Sequence, residues 1–581
     1  MSYFDKKEFV NFLKYSKKHP FEALKDLTDI GMFISGNMIN KLKFKFLSDK
    51  HSARKKWPTW LRSDLFLDNT DSVKELFFPS LTFDHNWDRL TIHARENITL
   101  AKNDPEAVFK LARWSTCNYY LDPNQEEAKE VVRLINRWIA DPPAFDHPAW
   151  ETYSAAERIA NSIVFLSLDK RRQDWLDREK YATFLSASMK WIVNHLEFYG
   201  PLSTNNHFLN DARALIMGGV VSGDKRYINI GLKIVENFGM DLFTENGFLR
   251  ERSTHYQIVI ANWIMDADTL LQTSKLSAGT ALPKSWNNLV EKVYEATIYQ
   301  IKQFGWDTLI GDISPDISPK ASAYRFMKLY GNRNHRISFS KPSINDPWFY
   351  LSDEKSLIIG SSYNGKVICQ YPTHRHNDAT GFIWKYNHVP ILVDAGRLNY
   401  TKDWIAIKQV SFRGHNTLSI NEAGAMPESI IINGGYLPAR YSNVNISTQS
   451  ANCFVVIKHN GFSRLMPGIE HTRTISINAD GIEVSDELTG TGKIEASLYY
   501  HFDHGFELNK SGQIIKAKNP FAEIIFDVEV CNNEHLQTAI DSYELSPEYG
   551  TMLLAPEIIV TGELTLPCRI STKFKVYQCV E

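Results

Sequence analysis

The 581-residue chain is too long for one ordinary domain, and its 43% hydrophobic and 23% charged residues exclude wholesale disorder. A net charge of −2 excludes a global electrostatic pull toward nucleic acid, so an anionic ligand has to be met by a local basic cleft. The six cysteines are scattered without CxxC spacing, which excludes a zinc ribbon and predicts buried free thiols rather than a disulfide frame.

The N-terminal run MSYFDKKEFVNFLKYSKKHPFEALKDL interleaves lysines with apolar residues at helical spacing. It has neither a continuous apolar core nor a small-residue cleavage site, so no signal peptide is expected. The expected location is therefore cytoplasmic, with the periplasm as the alternative. No stretch has the apolar length that spans a bilayer, and no membrane insertion is expected. Helical periodicity then dominates, in DPEAVFKLARWSTCNYYL, QEEAKEVVRLINRWIA, SAAERIANSIVFLSL and YATFLSASMKWIVNHLEFYG. It continues through NDARALIMGGVV, YINIGLKIVENFGMDLF, IVIANWIMDADTLLQT and SWNNLVEKVYEATIYQIKQF. Many helices in series, with no strand pattern between them, imply helix pairs stacked into a ring or solenoid.

The pattern changes near GDISPDISP, and from about Trp348 short β-branched and aromatic runs alternate with turn clusters. Asn364-Gly365 and Asp480-Gly481 predict hairpins. The predicted fold is α+β and multidomain: a helical extension over 1–80, an (α/α) toroid over 81–340, and an antiparallel β-sandwich over 341–581.

Four clusters concentrate polar residues. Thr204-Asn205-Asn206-His207 precedes a helix and would equally serve as its cap. Arg250-Glu251-Arg252-Ser253-Thr254-His255-Tyr256 opens the next but one, where neighbouring cations would lower the Tyr256 phenol. In Thr373-His374-Arg375-His376-Asn377-Asp378, strand alternation would put His374, His376 and Asp378 on one face. Val393-Asp394-Ala395-Gly396 and Arg413-Gly414-His415-Asn416-Thr417 fall at strand ends or turns, and His376, Asp394 and His415 make a zinc-compatible donor set. Strand-borne His and Asp also bond simply to backbone.

The order NNH, ERSxxY, HxHND, LVDAG and RGHNT resembles the heparinase II/III superfamily of polysaccharide lyases, which includes heparan sulfate and alginate lyases. The likeness covers most of the chain after about residue 80, and HxHND…LVDAG…HNT is its specific part. It departs mildly at Ala379-Thr380-Gly381-Phe382, where family members often carry a small residue and Ser. The resemblance implies a toroid followed by an antiparallel sandwich, and β-elimination of an acidic polysaccharide or oligosaccharide. Asn206 and His207 match the positions that neutralise the uronate carboxylate, Tyr256 the catalytic tyrosine, and His374 the sandwich-borne catalytic histidine. His376, Asp394 and His415 match a metal site, here expected to be structural and zinc before other divalent ions.

That chemistry suits those residue types. The C5 proton of a uronate lies next to a carboxylate, and its removal builds a dianion that an amide and an imidazole on the carboxylate stabilise. Tyr256 then serves as acid and base when proton and leaving group share a side. When they do not, His374 takes the proton and Tyr256 donates. Asn205, Arg252 and Arg413 are the expected substrate-binding residues, Arg413 as a bidentate fork on a carboxylate. Neither nucleic acid nor membrane is an expected partner, and a homodimer is compatible with the sequence. Two other readings stand beside the lyase: a glycoside hydrolase using acids such as Glu251, Asp312 and Asp316, and a non-catalytic glycan-binding protein.

Overall fold

A computed structural model describes residues 105–578, apart from 120–123, 199–204, 275–281, 333–345, 367–373, 402, 427–430, 433–434, 437–443, 452, 513, 520–523 and 532–535. The expected N-terminal extension, Thr204 and Thr373 lie outside the described residues.

The helical half contains α1 (Pro105–Ala112), α2 (Gln125–Ala140), α3 (Thr152–Ser167), α4 (Arg178–Asn194), α5 (Asn206–Ser222), α6 (Lys225–Phe238), α7 (Thr254–Thr273), α8 (Lys284–Gln303) and α9 (Pro319–Tyr330). Local chemistry sets where they start. Asn124 and Glu127 close a reciprocal capping box at α2, and Asp177, Asp224 and Ser318 cap α4, α6 and α9 through backbone N–H groups. On α2 the buried residues Ala128, Val131, Val132, Ile135 and Ile139 recur at three- and four-residue spacing, so one face is inward. In α5 and α7 nearly every residue is buried, and these are the central helices. Helix α5 packs against α3, α4, α6 and α7, and α7 against α8 and α9. Among the described residues no helix is long and apolar enough to cross a membrane.

The C-terminal half is antiparallel throughout its main sheets. Strands β1 (Trp348–Ser352), β2 (Ser356–Ser361), β3 (Ile383–Tyr386) and β4 (Val389–Leu392) form a four-stranded sheet in that order. A second sheet of eleven strands is built around two long ones, Gly481–His501 and Leu553–Gln578. The two sheets share one apolar core, in which Phe349, Ile358, Trp384 and Leu392 of the first meet Ile457, Val484, Leu498 and Phe574 of the second.

Sequence and structure part at three places. Asn364-Gly365 is no hairpin tip: Asn364–Lys366 is a short strand paired with Asn445–Ser450. At the other signal the hairpin forms, with Asn478 opposite Gly481. Among the described thiols Cys117 is buried as expected, but Cys453, at a bend just before the strand Phe454–His459, is exposed, and Cys568 is half-buried at the margin of the apolar core.

A seam joins the halves. Phe248, Ala296, Phe304 and Ile310 pack directly on Trp348, Ile359 and Ile383. Lys385 reaches across to Asp307 at 2.6 Å and to the Phe304 carbonyl at 2.9 Å. Arg252 donates to the carbonyls of Pro347 and Ser362, at 3.0 and 2.6 Å, with its guanidinium 3.9 Å above the Tyr363 ring. The N-termini of both central helices lie at this seam.

Candidate active site

Two helix starts present the first groups. The Asn205 side chain caps α5 by accepting from the His207 N–H at 3.1 Å, which makes Asn206 its first residue. Ser253 caps α7 by accepting from the Tyr256 N–H at 3.0 Å, while its hydroxyl donates to the Asp312 carbonyl at 2.7 Å. The 305–318 segment thereby runs along the start of α7, where the Asp312 N–H donates to the His374 carbonyl at 3.0 Å. Gly311 has φ of 77°, and a Cβ there would sit 2.3 Å from the Arg252 carbonyl oxygen and 2.7 Å from that of His374. Only glycine lets these three backbones meet.

Here Asn206, Tyr256 and His374 come together. The His374 ring stacks on the Tyr256 ring at 3.7 Å and 14°. Its Nε2 lies 2.8 Å from Asn206 Nδ2, and its Nδ1 lies 3.2 Å from Asp312 Oδ2. Asp312 is held well below the ordinary carboxylate range: burial pulls its carboxyl up, and Arg397, His374 and His376 together pull it further down. An ionised carboxylate only accepts, so His374 donates from Nδ1. Its Nε2 lone pair then faces the Asn206 amide, which is the tautomer a base at Nε2 requires. Burial pushes the Tyr256 phenol well above its usual value, against the hydrogen bond from Tyr400 that lowers it. Tyr256 and Tyr400 hydroxyls are 3.1 Å apart and either can donate; when Tyr256 donates, the single Tyr400 proton goes to the Ile313 carbonyl at 3.2 Å. Tyr256 is therefore a phenol at neutral pH.

His207 is the open member of the group, its side chain 34% exposed against 10% for His374. Its Nδ1 is 3.2 Å from Glu197 Oε1, and its ring lies 4.5 Å from that of Tyr153. Burial opposes the charge, but Glu197 outweighs it and raises the imidazole to about 9. Arg252 is spent on the seam, and Arg250 donates to the Phe243 carbonyl at 2.8 Å, so the expected lowering of the Tyr256 phenol by these cations is not what the structure shows. Arg413 is exposed, its guanidinium 5.8 Å from the Phe412 ring.

The segment 374–380 is a loop and not a strand, so no strand face carries His374, His376 and Asp378. Its backbone bonds outward, Asn377 N–H to the Val410 carbonyl and Gly381 N–H to that of Asp378. Asp378 accepts from Ser361 at 2.6 Å and from Tyr363 at 3.3 Å. His376 turns Nε2 to Asp312 at 2.9 Å, which leaves its buried Nδ1 without a partner. Burial also lowers the His376 imidazole, so it is neutral. The His415 ring is 5.3 Å from that of His376, and His415 Nδ1 is 3.2 Å from Asp394 Oδ2. Asp394 Oδ1 and both His415 nitrogens are likewise buried without a hydrogen-bond partner. Two imidazoles and a carboxylate with unpartnered donor atoms are the ligand types a divalent cation takes, although at His415 burial is outweighed by Asp394, which raises the imidazole toward its charged form. Their donor atoms are nonetheless less converged than those of Glu151, Glu197 and His207, the one such trio among the described residues lying within 4.8 Å of one another.

Sequence reasoning missed three contributors. Asp312 stood out only as one acid among several, yet it accepts from both His374 and His376 and lies 3.2 Å from Arg397 Nε. Glu251 is fully buried and accepts from both the backbone and the side-chain amide of Asn206, at 3.0 and 2.8 Å. Tyr400 sits in the segment after LVDAG and carries no motif. The regular GDISPDISP stretch, rich in turn residues just before the strands, was the available signal for Asp312.

Residues 353–573 match the family model of the heparinase II/III-like C-terminal domain. No curated protein sequence matches the chain. Among solved structures, a crystal structure of heparinase III is similar at 14% identity, over 81% of this chain and 77% of that one, with a TM-score of 0.60. A heparinase III gene product is similar at 14% identity, 91% and 85% coverage and a TM-score of 0.56. A mutant of heparan sulfate lyase HepC from Pedobacter heparinus gives 13% identity, 91% and 85% coverage and a TM-score of 0.50. At such identities the likeness is one of fold.

Proposed function

We propose, from a C-terminal half that matches the heparinase II/III-like C-terminal domain, that this chain is a polysaccharide lyase cleaving a uronate-containing glycan by β-elimination. The helical half acts as a toroid and the sheets as a sandwich, with the substrate held between them. The observation that carries the reading is the meeting across the seam of an Asn206 amide, a His374 imidazole and a Tyr256 phenol, at 2.8 Å and 3.7 Å.

Asn206 and His207 hold the uronate carboxylate and stabilise the charge that develops on it. His374 Nε2 takes the C5 proton, and the freed electron pair forms the C4–C5 double bond as the C4–O4 bond breaks. Tyr256, a phenol at neutral pH, protonates the departing O4. This division of labour, base and acid on different side chains, follows from the His374 tautomer and the raised Tyr256 phenol. Asp312 holds the base in its tautomer. A zinc ion on His376, Asp394 and His415 would fix the loops beside His374, a structural and not a Lewis-acid role. Of the three acids a hydrolase was expected to use, Glu251 is engaged by Asn206, Asp312 by His374 and His376, and Asp316 by Arg113 and Ser115.

Incubation with heparan sulfate, hyaluronan and alginate tests the reading. New ultraviolet absorbance from an unsaturated uronate supports it, whereas new reducing ends without that absorbance refute it. A pH profile follows from His207. Its imidazolium, raised to about 9, should support carboxylate binding at neutral pH, and kcat/KM should fall as pH passes that value. Glu197→Gln removes the charge responsible, so the alkaline limb should move toward the ordinary imidazole value of about 6.5. An unmoved limb would mean that His207 does not face the carboxylate.

A further inference from the structure

Glu251 belongs to the ERSxxY motif, but no step of the elimination uses it directly. It is fully buried, and both its oxygens accept from Asn206, with Oε2 also 3.5 Å from His374 Nε2. Oε1 accepts from the Asn206 backbone N–H at 3.0 Å, and Oε2 from the Asn206 side-chain amide at 2.8 Å. The same Nδ2 lies 2.8 Å from His374 Nε2, while Asn206 Oδ1 is buried with no hydrogen-bond partner. An amide has two ends of nearly equal shape and opposite polarity, and nothing at the Oδ1 end decides between them. The decision falls to Glu251, together with the His374 Nε2 lone pair that the same NH2 faces.

We infer that Glu251 is a positioning residue that fixes the Asn206 amide with its NH2 toward His374 and the uronate carboxylate; this rests on the lyase reading of the site. Two acceptors are needed at once, since the first N–H of α5 and the amide NH2 both point at Glu251. Only a carboxylate supplies two. A glutamine supplies one oxygen and one NH2, so one Asn206 donor would face another donor. The backbone N–H is fixed by the helix, whereas the side chain is free to turn over. The amide would then present its oxygen to His374 and to the substrate carboxylate. An NH2 that stabilised the developing dianion would become an acceptor that repels it. The substrate carboxylate also competes with His374 for the same NH2, so binding it uncovers the Nε2 lone pair at the moment the C5 proton arrives.

The test compares Glu251→Gln, Glu251→Asp and Asn206→Ala, with heparan sulfate and its carboxyl-methyl-ester as probes and circular dichroism as the check on folding. Glu251→Gln should lower kcat/KM on heparan sulfate about 100-fold, the scale of losing one donor to a developing oxyanion. On the methyl ester, which has no carboxylate charge to neutralise, the loss should be under about 10-fold. Glu251→Asp keeps two acceptors on a shorter arm, should fall between, and serves if the glutamine variant does not fold. Equal losses on both probes would mean a merely structural carboxylate and overturn the inference. Asn206→Ala inactive with Glu251→Gln unaffected would overturn the inference alone. Unimpaired Asn206→Ala, or no cleavage of heparan sulfate, hyaluronan or alginate by the unmodified protein, would overturn the reading of the site and the inference with it.

Discussion

Tyr256→Phe should reduce formation of unsaturated product at least about 1,000-fold while leaving the fold intact. General acid catalysis alone contributes on the order of 100- to 10,000-fold, and here the leaving group has no other buried proton donor stacked against the base. The change removes one oxygen. The ring remains on His374 at 3.7 Å, and the Tyr400 hydroxyl keeps its bond to the Ile313 carbonyl. Stability should therefore change by only about 1 kcal/mol, the ordinary worth of one hydrogen bond. Product absorbance and a thermal melt, measured on the same preparation, check both halves. An active Tyr256→Phe variant would remove the phenol from the mechanism, whatever the state of the other residues.

Asp312→Asn should damage activity and stability together. The carboxylate accepts from His374 Nδ1 and His376 Nε2 and lies beside the Arg397 guanidinium. An amide offers one acceptor and turns an NH2 toward a third group. His374 then loses the partner that keeps its proton on Nδ1, and the base arrives in the wrong tautomer. A loss of about 1,000-fold or more in kcat/KM is expected from the comparable cost of a misplaced histidine proton. Removing the charge also takes away the carboxylate 3.2 Å from the buried Arg397 Nε, and breaking one member of a buried pair costs about 3–5 kcal/mol. The pH dependence follows from the sign of the shift. The folded carboxyl lies below its ordinary value of 3.8, so its stabilisation is present above about 4 and is lost as pH falls through the folded value. The melting temperature of the unmodified protein should therefore fall on acidification, and that of the variant should fall less steeply. Parallel slopes would show that Asp312 is not ionised in the folded protein.

Much of the site was legible from the chain because its reacting groups sit where local signals are strong. The sequence put the cluster ending in His207 just before one helix and that ending in Tyr256 at the opening of another, and Asn205 and Ser253 cap α5 and α7 there. The division into helices and then strands was equally plain from the change of period. The supporting carboxylates were not legible. Glu251 and Asp312 look like surface acids in a sequence, and what distinguishes them is complete burial against partners 45 and 62 positions away. The loop at 374–380 misled for a related reason. Its alternation of polar residues imitates a strand, but its backbone finds partners in Val410 and Asp312 and not in a ladder. Arg252, expected to bind substrate, has a φ of 58° and its guanidinium donates to the Pro347 and Ser362 carbonyls of the sheet half.

That attachment to the sheet half has a consequence for how the protein meets salt. The Arg252 guanidinium is held by two carbonyl dipoles and an aromatic face. Mobile ions screen exposed charges beyond about 8–10 Å, but they weaken far less the contacts of a half-buried cation with two carbonyls and a ring. A polyanionic glycan of the kind proposed as substrate would, by contrast, be released readily as ionic strength rises. On that reading the grip on the polymer and the alignment of phenol with imidazole answer to different forces: brine that releases the polymer would leave the joint between the halves closed and the site assembled for the next chain.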